Sequence, residues 1–346
     1  MKTRTPSDAT VNRTILRFGW MVLGLILLLA AAIASLRLGS VDTDWSTIQA
    51  ALSSTPMSEL SDEAVIVREL RLPRTLVGIA VGASLAVAGA LMQAVSRNPL
   101  ADPGILGVNA GAALAIIVAI AVLGITAPTS YVWFGLLGAL AASAIVYGLG
   151  SGGRGTMTPV RLTLAGAVVA ALLSSATSTV LLLDERTLDQ FRFWMVGSIA
   201  GRDMSVVTAV APFMIVGLVA ALATAPAINV LVLGDDVASS LGQRVVVVRG
   251  VAAAAVVLLA GSSVAAAGPI AFMGLVVPHL VRTVTGPDYR WIVACSVLYA
   301  PVLMLAADIV GRYVVSPDEL EVGIATAVIG APLFILLIRR RRLVST

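Results

Sequence analysis

Apolar runs of membrane-spanning length, repeated along almost the whole chain, constrain this sequence more than any other feature. Ten can be traced, at 15–36, 75–95, 104–125, 131–150, 162–183, 205–223, 246–265, 269–284, 291–311 and 322–338. Each is close to the roughly 20 residues an α-helix needs to cross the hydrocarbon core of a bilayer. Hydrocarbon offers no partner to a backbone N–H or C=O, and a helix satisfies both within its own segment. The expected fold class is therefore an all-α integral membrane protein of about ten transmembrane helices, in a single membrane domain over residues 1–346. The run at 269–284 is short and carries Pro278 and His279 near its end, so its limits are the least defined. The longest polar segment, 37–74, is too short for a soluble domain.

Composition supports this reading. The chain is 58% hydrophobic and only 12% charged, against about a quarter charged in soluble proteins. Its 31 glycines suit helices that approach closely in lipid, where small residues do the packing. The first run follows Lys2, Arg4, Arg13 and Arg17 as a secretion signal would. Its apolar core of about 19 residues exceeds the usual 7–15 of such signals, so an uncleaved first helix is expected.

Arginine placement sets the expected orientation, because basic residues concentrate in cytoplasmic loops. With the N-terminus inside, the inner face holds Lys2, Arg4, Arg13, Arg17, Arg97, Arg154, Arg161, Arg244, Arg249, Arg282, Arg290 and the run 339–342, fifteen of the 23 bases. Only Asp8, Asp102, Asp235, Asp236 and Asp288 join them there. The outer face keeps eight bases and fourteen acids. Both termini are then cytoplasmic, and the closing arginines stop the last helix.

Several chemistries are closed off. One cysteine, Cys295, and one histidine, His279, allow neither an internal disulfide nor a Cys/His metal cluster, and both read as packing residues. The single lysine, Lys2, has no phosphate-loop glycine before it, and the glycine-rich 150–155 stretch has no lysine after it; that stretch reads as a flexible cytoplasmic loop. Ion-coupled carriers usually place acids or histidines near mid-membrane. Here Asp308 is nearly alone within a run, one helical turn from Arg312, and the two are expected to pair. Energy then comes from another chain, or the protein is a passive channel.

Three ordered segments remain. The first is Arg71-Leu72-Pro73-Arg74, then Gly82-Ala83-Ser84-Leu85, Gly89-Ala90-Leu91-Met92-Gln93 and the stretch from Asn98-Pro99-Leu100 through Asp102-Pro103-Gly104 to Gly107. The second is Leu233-Gly234-Asp235-Asp236-Val237-Ala238 with Leu241-Gly242. The third runs from Gly268-Pro269 through Pro278-His279 to Arg282, followed by Asp308, Gly311-Arg312, Gly323 and Gly330-Ala331-Pro332. In this order and spacing the chain resembles the iron-siderophore and vitamin B12 importer permeases, the membrane subunits of type II ABC importers. That family has ten helices.

The resemblance implies roles, residue by residue. Arg71, Arg74 and Arg312 match outward-facing arginines that dock an extracytoplasmic substrate-binding protein through its acidic residues; the alternative is that they snorkel to headgroups. Leu233, Gly234, Asp235, Val237, Ala238, Leu241 and Gly242 match a coupling loop seated in a groove of the ATPase, with Asp235, Val237, Ala238 and Leu241 presented to it. Asn98 and Leu100 match the cytoplasmic gate. Gly107 and Asn109, with Ser174 and Ser178 among the hydroxyls of the fifth span, match the translocation path, although hydroxyls bonding within their own helix are the default. Pro278-His279 matches a helix-end feature on the ATPase side.

The implied assembly pairs this permease, in the cytoplasmic membrane, with a second permease subunit (identical or paralogous) and two cytoplasmic ATPase subunits. The chain contacts membrane lipid and no nucleic acid. It binds no cofactor itself, ATP being used by the partner. Spans two to five and seven to ten would form an inverted pair. A path with almost no charge suits a large cargo already chelated, since a bare metal ion needs oxygen or imidazole ligands. A ferric siderophore is the expected cargo, with cobalamin and haem as rivals and an ion-coupled siderophore carrier as the other class.

Overall fold

A computed structural model describes residues 6–39, 43–125, 127–151, 159–315 and 318–342. Most of the glycine-rich 150–155 stretch lies outside the described residues. Among these residues the chain forms fourteen α-helices and no strand. They are α1 (Pro6–Arg37), α2 (Trp45–Leu52), α3 (Asp62–Ile66), α4 (Leu72–Ser96), α5 (Val108–Leu123), α6 (Pro128–Ser151), α7 (Pro159–Leu183), α8 (Glu185–Val196), α9 (Met204–Leu231), α10 (Asp235–Ser240), α11 (Val245–Ala267), α12 (Met273–Thr285), α13 (Tyr289–Val314) and α14 (Val322–Arg342).

Each of the ten apolar runs falls on one helix, but seven helical segments are long and apolar enough to span a bilayer. The remaining runs fall on α5, α12 and the apolar part of α14, Val322–Leu336. For two of them the reason is local. A 3₁₀ turn, Pro103–Leu106, precedes α5 and ends at Gly107 with φ +74°. Residues 268–272 precede α12 and carry positive φ at Gly268 and Phe272. Ala101, Pro103, Leu106 and Gly268 are buried in protein, the setting in which non-helical backbone is tolerated at membrane depth. Pro278 is the sixth residue of α12 and, like His279, is buried. The expectation of a helix-end feature there is corrected: the proline sits inside a helix that begins four residues later than the run.

The core is organised around α4, buried from Val81 to Ser96 without interruption. It packs against α13, α11, α12 and α9. Small residues permit this. A methyl on Gly82 would sit 3.0 Å from Pro301 Cα of α13, and one on Gly89 would run into the Gly274 backbone of α12. The Gly89–Gly274 contact is supported by a backbone repair. Pro278 has no N–H to offer the carbonyl four residues back, which is that of Gly274. Gln93 Nε2 donates to the Gly274 oxygen instead, at 2.9 Å.

Before α4 the chain widens into a π turn, Val67–Arg71. Pro73 accounts for it: the ring clashes with the carbonyl of Glu69 and offers no N–H to it. Arg68 closes the preceding corner, donating to the carbonyls of Ala51 at 2.6 Å, Thr55 at 2.7 Å, Ser53 at 2.5 Å and Ala50 at 3.2 Å. Those oxygens are the orphan acceptors at and beyond the end of α2. The helix α8 lies between two apolar runs; it buries Phe191 and Trp194 and carries exposed Arg186, Asp189 and Arg192.

Candidate functional site

Two polar constellations lie at opposite ends of α4, with a small-residue stretch between them. At the α4 start, Asp308 of α13 is only 1% exposed. Arg74 reaches its Oδ1 from Nε at 3.1 Å and from Nη2 at 2.8 Å. Arg312, one turn along α13, donates to Oδ2 from Nε at 3.1 Å and from Nη2 at 2.5 Å. The expected Asp308–Arg312 pair is present and has gained Arg74. Arg312 Nη1 also caps the end of α1 through the carbonyls of Ser35 at 2.9 Å and Leu38 at 2.8 Å. Arg71 Nη1 does the same through Leu36 and Arg37, both at 2.9 Å. Ser35 Oγ and Thr75 Oγ1 share a hydrogen bond of 2.8 Å that closes the ring.

These contacts correct how the three arginines are presented. Arg71 and Arg312 are each 6% exposed, tied to carbonyls and a carboxylate inside the chain rather than held outward. The end of α1 leaves C=O groups without helical donors, and a guanidinium with five N–H groups is the side chain best able to fill that need. Arg74 has a partner at the surface, Glu319, whose Oε2 accepts from Nη1 at 2.6 Å.

At the other end, Arg97 caps α4 in the left-handed region, φ +50°. Its Nη2 donates to the Leu231 carbonyl at 3.2 Å and pairs with Asp235. Arg249 of α11, buried, reaches the same carboxylate oxygen at 2.9 Å. Asp235 thus joins the end of α4, the end of α9 and α11 at the first residue of α10. Gly234 with φ +124° and Gly242 with φ +81° open and close the short α10 segment. Leu233, Val237 and Leu241 are exposed, Leu241 by 66%, whereas Ala238 is wholly buried. The expected outward set is corrected accordingly: Ala238 is the packing contact of α10, because Asp235 pulls its first turn onto the body. The segment is anchored further by Gln243 Nε2 to the Ala227 carbonyl at 2.8 Å. Asn229 links α9 to the start of α13, bonding Asp288 at 2.7 Å and accepting from Tyr289 N at 2.8 Å.

The path candidates lie just beyond the Arg97 end of α4 and on α5 and α7. Asn98 and Leu100 are exposed, and Asn98 Oδ1 accepts from Leu100 N at 2.9 Å, closing the turn at Pro99. Asp102 accepts from Gly104 N at 2.8 Å and lines, with Asn109 and Gly274, a cavity of about 20 Å³. Gly107 is buried against Val146, Ala142 and Val169. Ser174 and Ser178 are exposed on α7, while Thr177 and Thr179 bond back to carbonyls four residues earlier. Among the described residues no group of three or more His, Cys, Asp or Glu is placed to hold a metal ion.

A family model described as the FecCD transport family matches residues 27–340. The chain belongs to the FecCD transport family. Curated relatives agree. "Probable siderophore transport system permease protein YfiZ" of Bacillus subtilis (strain 168) is 45% identical over 323 residues, covering 93% of this chain and 96% of that protein. The ferric enterobactin transport system permease protein FepD of Escherichia coli (strain K12) is 44% identical over 319 residues, covering 92% and 94%. A solved metal-chelate type ABC transporter in an inward-facing conformation superposes with a TM-score of 0.81 at 28% identity, covering 94% of this chain and 99% of that one.

In this FecCD chain, sequence reasoning locates both constellations but misses several of their members. Arg97, Arg249 and Glu319 carry these roles only in the folded chain, as Gln93 does its bond to the Gly274 carbonyl. A signal for Gln93 exists, since a proline in a helix leaves the carbonyl four residues earlier without its donor. No local signal marks Arg97 or Arg249 as partners of Asp235. Their meeting depends on how α4 and α11 pack.

Proposed function

We propose that this multi-pass chain is the permease subunit of an ABC importer that moves ferric siderophore across the cytoplasmic membrane. The observation that carries the reading is the α10 segment. It has an exposed apolar face of Leu233, Val237 and Leu241 on a helix tied by Asp235 to Arg97 and Arg249. An exposed apolar cluster at a loop tip, rimmed by polar groups, is the expected form of a docking contact. The tie gives a push on α10 a direct route to α4 and to Asn98 and Leu100 beside it.

The rest of the assembly is proposed on family membership and charge placement. The chain spans the membrane about ten times with both termini inside, pairs with a second permease subunit and is served by two ATPase subunits. An extracytoplasmic binding protein docks at the outer end of α4, where Arg74 is the least buried of the three candidate arginines. Arg71 and Arg312 hold that surface in shape from beneath. The chain binds no cofactor of its own and leaves ATP to its partners. Siderophore cargo is favoured by the relatives named for siderophore and enterobactin transport and by the nearly uncharged path.

The test is uptake of labelled ferric siderophore and labelled cobalamin in cells with and without this chain, repeated after ATP depletion. Loss of siderophore uptake alone, and only with ATP present, is expected. Loss of cobalamin uptake instead keeps the importer and changes its cargo. Uptake that survives ATP depletion and collapses with the proton gradient overturns the importer reading.

A further inference from the structure

A cavity of about 320 Å³ lies between α1, α12 and α13. Its walls are almost wholly apolar, with Trp20 on α1, Val281 and Val284 on α12, and Cys295 and Leu303 on α13 among them. Leu280 and Val284 are exposed, so the cavity opens to the surface of the bundle. It exists because α1 lies along α13 and barely touches α12. In a helix that spans the membrane, such an opening faces lipid.

The Thr285 end of this cavity meets Arg17, and Arg282 lies one turn before Thr285 on α12. The Thr285 carbonyl accepts from Arg17 Nε at 2.8 Å. Arg17 lies one turn before Trp20 and stacks over the Trp291 ring, 5.8 Å from its centroid. Arg282 donates to the Tyr289 hydroxyl at 2.9 Å, while its Nε is buried with no partner among the described residues. Arg290, two residues after Asp288, is exposed. Among the described residues Asp288 is the carboxylate that meets Arg17, at 3.9 Å, and it is already bonded by Asn229 and the Arg290 N–H. Trp20 Nε1 is likewise buried without a partner among the described residues. A tryptophan with apolar body and free N–H, beside arginines, is the chemistry of a membrane interface.

We propose that this groove holds an anionic phospholipid, with an acyl chain along the Trp20–Leu303 wall and the headgroup phosphate at Arg17 and Arg282. The apolar cavity takes the chain and the net positive end selects the headgroup charge. The lipid fills the seam that α1 leaves open and ties that helix to the bundle. The proposal rests on the chain lying in a bilayer, and its readout is independent of transport.

The test uses the full chain in lipid nanodiscs. The host bilayer is phosphatidylcholine carrying a fixed share of either brominated phosphatidylglycerol or brominated phosphatidylcholine. The Trp20 signal is the fluorescence difference between the natural protein and Trp20→Phe. Quenching by the anionic lipid is expected at several-fold lower mole fraction than by the zwitterionic one, about fivefold for each contributing arginine. The Arg17→Gln, Arg282→Gln double variant should lose that preference. The Arg17→Lys, Arg282→Lys variant, which keeps the charge, should retain most of it, and guards against a glutamine variant that fails to fold. Equal quenching by the two lipids overturns the proposal, as does a preference that survives removal of both charges. So does absence of any Trp20 quenching, which would mean that protein, such as a second copy of the chain, covers the groove.

Discussion

Arg74 and Asp308 meet as a three-contact ion pair across 234 positions of sequence, and the carboxylate is shared with Arg312. One buried anion therefore holds two cations, and the ends of α1, α4 and α13 that meet there are tied through it. Buried ion pairs add little net stability over apolar packing, but removing one partner leaves an uncompensated charge. The cluster is thus sensitive to its anion above all.

Asp308→Asn is expected to lower stability by about 3–5 kcal/mol, read as a fall in the apparent Tm of the purified chain in detergent. Glu319→Gln breaks the partly exposed bridge to Arg74 and should cost no more than about 1 kcal/mol. Equal effects of the two substitutions would contradict the burial argument.

Docking and folding separate at the same cluster. Arg71→Glu would set a carboxylate against the carbonyls of Leu36 and Arg37, so loss of folded protein is expected and any docking defect would be secondary. Glu319→Gln removes the carboxylate charge that competes for Arg74 at the surface. Tighter binding of the extracytoplasmic binding protein is expected, by up to about fivefold for an exposed pair. Unchanged or weaker binding would remove Arg74 from the docking surface.

The Asp235 junction predicts a different failure. Asp235→Asn removes the charge that both Arg97 and Arg249 use, while leaving Leu233, Val237 and Leu241 exposed. The permease–ATPase complex should still assemble, with ATP hydrolysis continuing and uptake falling by at least about tenfold, the effect of some 1.4 kcal/mol of lost coupling. Uptake and hydrolysis that stay in step would show that the junction does not carry the coupling.

Gly89→Ala is expected to destabilise the chain severely, because its methyl meets backbone of Gly274 rather than a movable side chain. Gly19→Ala, on α1 with nothing within 4 Å of the added methyl, should be neutral or slightly stabilising. Gln93→Leu leaves the Gly274 carbonyl unpaired and should cost about 1–3 kcal/mol. Thermal unfolding of the three variants, ranked Gly89, Gln93, Gly19, checks the set.

Several features are legible in the sequence because they are local. Apolar runs report helices wherever hydrocarbon must be matched residue by residue, and each of the ten runs has its helix. The Asp308–Arg312 pair is readable from a one-turn spacing. The Leu233–Gly242 segment is recognised through the family resemblance, and the fold uses its Gly234 and Gly242 at positive φ. The shortness of α5 and α12 is not readable in the same way. Phe272 at φ +68° and Arg97 at φ +50° are conformations that composition does not announce, and buried irregular backbone is as apolar in sequence as helix.

From the residues alone, then, follow a helical membrane chain, its family resemblance and the two ends at which polar chemistry gathers. Which polar groups meet at those ends does not follow. Arg312 finds the carbonyl of Ser35 across 277 positions and Gln93 that of Gly274 across 181. Such partners are selected by helix packing, where the close approach of small residues on α4 sets the distances. Hydrophobic pattern is a property of neighbours along the chain, but the satisfaction of a buried charge or carbonyl is a property of neighbours in space.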